Sequence, residues 1–106
     1  MSAMGKERVS GLNQATAQCL MLGGTKQVVS YDASAQSAAL ASTTTLVRLR
    51  SSTDCHVVMG ADPTAVVATH LGLVANMPEV FGVIPGQKIA AIKAATAGTL
   101  EIYEAP

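Results

Sequence analysis

The sequence predicts an all-β fold: a small antiparallel β-sandwich, jelly-roll-like or meander, with an extended N-terminal arm. Three observations carry that prediction. Residues 80–104, VFGVIPGQKIAAIKAATAGTLEIYE, read as three short strands joined by two turns. Within them, residues 99–104 alternate with a period of two, Leu100 and Ile102 on one face, Glu101 and Tyr103 on the other. Such a three-stranded unit has one apolar face and cannot stand alone in water, so the preceding chain or a partner must cover it.

The elements follow in order. At 106 residues the chain is one domain. Residues 1–26 read as an arm or first strand that orders on a partner, and residues 27–106 as the sandwich. Residues 18–22 and 27–31 are apolar runs on either side of Gly23-Gly24, which suggests a hairpin. A phosphate-binding glycine loop is not supported: no GxxxxGK[ST] pattern or helix signal follows. In residues 32–45, DASAQSAALASTTT, alanine allows a short helix capped by Asp32, while serine and threonine favour extended chain.

Residues 44–51 form a strand with Val47 and Leu49 facing one way, Leu46, Arg48 and Arg50 the other. Residues 55–60 form the next, with Cys55, Val57 and Met59 on one face. Residues 51–54 are expected to join the two as a hairpin, the cover for the 80–104 unit. Asp62-Pro63 ends the second strand, because proline cannot donate to a ladder. In the 80–104 unit, Pro85-Gly86 is a turn: proline pre-sets φ and glycine takes the positive φ that follows. Strands linked so tightly most simply pair as an antiparallel meander.

Composition narrows the function classes. Hydrophobic residues make up 49% and aromatics 3%, so Val, Leu, Ile, Met and Ala build the core. Charged residues are 13%, about half the usual share, and balance at seven of each sign. So few charges point to surface buried against other subunits. The absence of a basic excess argues against nucleic acid. No apolar run approaches the roughly 18 residues of a membrane span, and no secretory pattern opens the chain. The expectation is a protein made in a cytoplasm and used there or in a particle assembled there.

Candidate chemistry is sparse. Cys19 and Cys55 are too few for a disulfide framework and read as two reduced, small hydrophobes. A single bridge between them stays open. Asp54, Cys55 and His56 are adjacent, with His70 further on, but neighbouring strand residues point to opposite faces and no CxxC or HxxxH spacing exists. Metal and thiol catalysis are therefore disfavoured, and no catalytic residue, metal or cofactor is expected. Arg48 and Arg50 share a face, either an anion-binding or interface pair or a solvated outer face. His56 and the turn residues Pro85, Gly86 and Gln87 join them as candidate interface positions. Tyr31, Phe81 and Tyr103 are scattered singly, so no base-stacking platform is indicated.

One resemblance adds to this reading. SAQSAAL (34–40), TLVRLRSSTDCHVVMGADPTA (45–65) and PEVFGVIPGQKIAAIKAATAGTLEIYE (78–104) together resemble small virion structural proteins of tailed bacteriophages. The resemblance implies a compact, non-enzymatic β-sandwich, a decoration or cement subunit on the phage head. It implies association with the major capsid protein, with copies of itself, or with both, after assembly in the host cytoplasm. A tail, neck or head-fibre-base adaptor, or a small receptor- or glycan-binding module, is the alternative.

Overall fold

The computed structural model describes residues 20–106. Most of the predicted arm, and Cys19 with it, lies outside the described residues. The described chain has eight strands and no helix: β1 (Thr25–Tyr31), β2 (Ala35–Gln36), β3 (Leu46–Ser51), β4 (Cys55–Gly60), β5 (Leu71–Leu73), β6 (Glu79–Gly82), β7 (Lys88–Lys93) and β8 (Gly98–Glu104). They form two four-stranded antiparallel sheets, ordered β1-β8-β3-β6 and β2-β7-β4-β5. This is the strand order of a jelly roll, an antiparallel ribbon folded into two layers. The ribbon pairs β4 with β5, β3 with β6, β2 with β7 and β1 with β8. Its registers match Cys55 to Leu73, Leu46 to Gly82, Ala35 to Ala91 and Thr25 to Glu104.

The predicted strand faces hold. Val47, Leu100 and Ile102 are fully buried, with Leu49 beside them, while Arg48, Arg50, Glu101 and Tyr103 face outward. Val29 and Tyr31 complete the first sheet's inner face, opposed by Cys55, Val57, Leu73, Ile89 and Ala91 of the second. Each fully buried aliphatic side chain contributes about 1.5–3 kcal/mol.

Three pairings differ from expectation. Strands β6, β7 and β8 are not a meander: β7 lies in the opposite sheet from β6 and β8, and β3 separates β6 from β8. The 51–54 segment is not a hairpin but a crossover, since β3 and β4 belong to different sheets. The cause is geometric. Packed sheets lie about 10 Å apart, and three extended residues reach about 10 Å, so residues 52–54 suffice to cross. Each strand then turns its apolar face toward the other layer. Third, Gly23-Gly24 makes no hairpin among the described residues. Residues 20–24 form no strand, and β1 takes its ladder from β8. Gly24 is needed there for space, because a Cβ would fall onto the Glu104 carbonyl oxygen.

Residues 32–45 form no helix, as serine and threonine favoured: they bend at 32–33, run extended through β2 to Leu40, and turn at 42–43, where Thr44 N–H donates to Ala41 O at 3.1 Å. Ser37 N–H donates to Ile89 O at 2.8 Å and Leu40 N–H to Gln87 O at 2.7 Å, prolonging the β2–β7 pairing. The Pro85-Gly86 turn forms with Gly86 at φ 82° and Gln87 N–H donating to Ile84 O at 3.3 Å. It carries the chain between sheets.

The two outer faces differ. Over the second sheet lies the 61–70 connection. Gln36 Nε2 donates to Pro63 O at 2.9 Å and to Asp62 Oδ1 at 2.7 Å, and Ala65 N–H donates to Ser34 Oγ at 2.8 Å. This flap accounts for Ala90, which is outward on β7 beside Gln36 yet fully buried. No described segment lies over the middle of the first sheet.

Candidate interaction surface

The open face of the first sheet is built by register. Lys26, Tyr103, Arg48 and Val80 stand side by side across β1, β8, β3 and β6. Val28, Glu101 and Arg50 form the next row. Side chains point outward here because their strand neighbours Gln27, Ile102, Val47 and Leu49 point inward. Glu101 lies between two cations, 3.3 Å from Lys26 Nζ and 3.8 Å from Arg48 Nη1. Arg50 has no ion-pair partner among the described residues. Three cations thus share this face with one carboxylate.

Residues 20–24 wall one side of it. The Tyr103 hydroxyl accepts from Gly24 N–H at 3.1 Å and donates to Met21 O. Those bonds hold the segment against the end of β8 and leave Leu22 92% exposed. Leu20, Leu22, Pro78 and Val80 line an open cleft of about 400 Å³ over Tyr103, Lys26, Arg48 and Glu101. An apolar rim over a charged floor suits a polypeptide carrying both kinds of group.

The six predicted interface positions do not converge. Arg48 and Arg50 lie on this face. His56 is on the outer side of the opposite sheet, beside Gly72 and Ile92, with its Nδ1 buried and unpartnered among the described residues. Pro85, Gly86 and Gln87 form the turn between the layers. Sequence reasoning missed Lys26, Leu22, Glu101 and Tyr103 as neighbours of the arginines. The alternation in β8 placed Glu101 and Tyr103 outward, but only the β1-β8-β3 order brings them beside Lys26 and Arg48.

A second cleft, about 150 Å³, opens between the layers where β5 and β6 are edges, lined by Leu49, Val57, Met59, Leu71, Phe81 and Val83. It is apolar. Cys55 is a buried free thiol, and burial pushes its pKa up, against weaker opposing effects of Ser51 and Tyr31. A thiol so placed is a poor nucleophile. Among the described residues no group of three or more His, Cys, Asp or Glu is placed to hold a metal ion. Neither a family model, nor a curated protein, nor a solved structure matches this chain.

Proposed function

We propose that this chain is a non-enzymatic virion structural protein of a tailed bacteriophage, a decoration or cement subunit on the head. It acts by binding the assembled shell and bridging neighbouring copies of the major capsid protein, so that binding stabilises the shell by mass action. The observation that carries the reading is the amount of apolar surface left on a small, low-charge sandwich. Met21, Leu22, Val28, Val66, Val67, Leu71, Val74, Met77 and Ile84 are all exposed. They are spread over both sheets and the connecting loops, and a subunit that meets neighbours on several sides would cover them. The resemblance of residues 34–104 to phage virion proteins supplies the particle.

Quantitative mass spectrometry of purified particles tests the reading. A head subunit is expected at hundreds of copies, and a tail or neck adaptor at about a dozen or fewer, by shell and portal symmetry. Particles lacking the protein should lose heat resistance. Absence from the virion overturns the reading, and low copy number moves the protein to the tail or neck.

A further inference from the structure

The open face of the β1-β8-β3-β6 sheet has features that select a partner. It carries Lys26, Arg48 and Arg50 against Glu101 alone, although the whole chain is neutral. Its cleft is rimmed by Leu22 and Val80. Its wall is fixed, because Tyr103 bonds the backbone at both Met21 and Gly24. The 61–70 flap lies on the other sheet.

We propose that this face docks an extended, acidic segment of another protein, one that carries both carboxylates and aliphatic side chains on a single face, at positions i and i+2. A carboxylate meets Arg48 and Arg50, whose guanidinium groups suit it in shape and charge. An aliphatic side chain enters the cleft between Leu22 and Val80. The carboxylate and the aliphatic residue stand two positions apart in the segment, because an extended chain presents every second residue to the surface beneath it.

Charge separates this occupant from others. The chain's own residues 1–19 carry Lys6 and Arg8 against Glu7, a net positive segment that does not complement a positive face. A second copy docked face to face would set one net positive face against another. A nucleic-acid backbone would meet Glu101 in the middle of the face and make no use of Leu22 or Val80. The inference rests on the reading that the protein works by association, and it names the face and the partner chemistry.

The test uses the full chain and three synthetic probes: a short peptide in which glutamate and leucine take turns at every second position with serine between them, its lysine counterpart, and oligothymidylate. Fluorescence anisotropy should show binding to the acidic peptide above the other two. The R48E/R50E double variant should lower that affinity at least about tenfold, the effect of one lost charge-assisted contact. High salt should weaken it too. Leu22→Ser should weaken it at unchanged charge, and His56→Ala, on the other sheet, should leave it unchanged. Circular dichroism confirms that each variant is folded. Equal binding of acidic and lysine peptides, tighter binding of oligothymidylate, or an unaffected R48E/R50E variant overturns the proposal. A protein absent from virions that still binds the acidic peptide through these arginines overturns only the virion reading.

Discussion

The Thr44 hydroxyl donates to Glu104 Oε1 at 2.8 Å in a buried setting that contains no cation partner among the described residues. Ala41 N–H donates to the same oxygen at 2.9 Å, and Gln27 Nε2 to Glu104 Oε2 at 3.1 Å. Burial pushes this carboxyl's pKa up, but the Ala41, Gln27 and Thr44 donors together outweigh it and hold the pKa below the usual range. Three neutral donors thus tie the last strand, β8, to β1 and to the 37–45 connection.

Acid should therefore loosen the fold at this point. A carboxyl held low in the folded state adds stability that is complete above its unfolded pKa, about 4.3. That stability is lost as pH falls through the lower, folded value. Urea midpoints measured from pH 7 down to pH 3 should fall for the wild type, with Glu104→Gln contributing a flatter acid limb. Glu104→Gln should also be less stable at pH 7, because its amide NH₂ competes with Gln27 Nε2. Thr44→Ala should cost about 1.5–3 kcal/mol, the worth of a hydrogen bond to a charged group. An acid limb identical in wild type and Glu104→Gln removes Glu104 from the account.

Glycine substitutions should divide sharply. A Cβ on Gly98 would meet the Ser52 hydroxyl at 2.6 Å and the Tyr31 hydroxyl at 2.9 Å, and would also crowd Thr53. Tyr31 donates to Thr53 O at 2.8 Å in the same corner. On Gly82 the nearest atom is Thr45 O at 4.0 Å. Gly98→Ala should lower the thermal midpoint by several degrees, as a loss of about 1 kcal/mol does in a domain of this size. Gly82→Ala should be neutral or slightly stabilising. Equal midpoints for the two variants contradict the packing around Gly98.

Cys55 should be silent to thiol reagents while the protein is folded. Its sulfur is buried and its pKa is raised, so little reactive thiolate forms near pH 8. In a Cys19→Ser background, Ellman's reagent should react slowly without denaturant and at once in guanidinium. Fast labelling of the native protein contradicts the burial.

Ile102→Asp and Gln87→Ala should mark the extremes of tolerance. Ile102 is fully buried, and an unpaired carboxylate there costs several kcal/mol, enough to unfold a small domain. Gln87 contributes its backbone carbonyl to Leu40 N–H and its backbone N–H to the turn, both kept in alanine. Gln87→Ala should stay within about 0.5 kcal/mol of wild type. Circular dichroism and a urea titration separate the two outcomes.

The faces of the strands were legible in the sequence, and their neighbours were not. Alternation put Leu100 and Ile102 inside and Arg48 and Arg50 outside, because side-chain direction in a strand is a local property. Choice of sheet is not local. Residues 51–54 have turn chemistry that serves a hairpin and a crossover equally, and the deciding contacts join Leu49 to Ile102 and Val57 to Ala91. The interaction face shows the same limit. The two arginines were visible as a pair, whereas Lys26 and Glu101 reach them only through pairings between distant parts of the chain.

The folded ribbon also sets a clock for synthesis. Thr25 finds its ladder partner at Glu104, so β1 has no mate among the described strands until β8 has left the ribosome. The β4–β5 pair can close early, since its strands are near in sequence. Pairing should then proceed outward through β3–β6 and β2–β7 and end at β1–β8, the contacts with the longest loops to close. Until then the inner faces of β1 and β3, with Val29 and Val47, lack the β8 residues that flank them. Chains stopped short of Ile102 should therefore fail to fold and collect as aggregates, and a subunit becomes competent to associate only once β8 is in place.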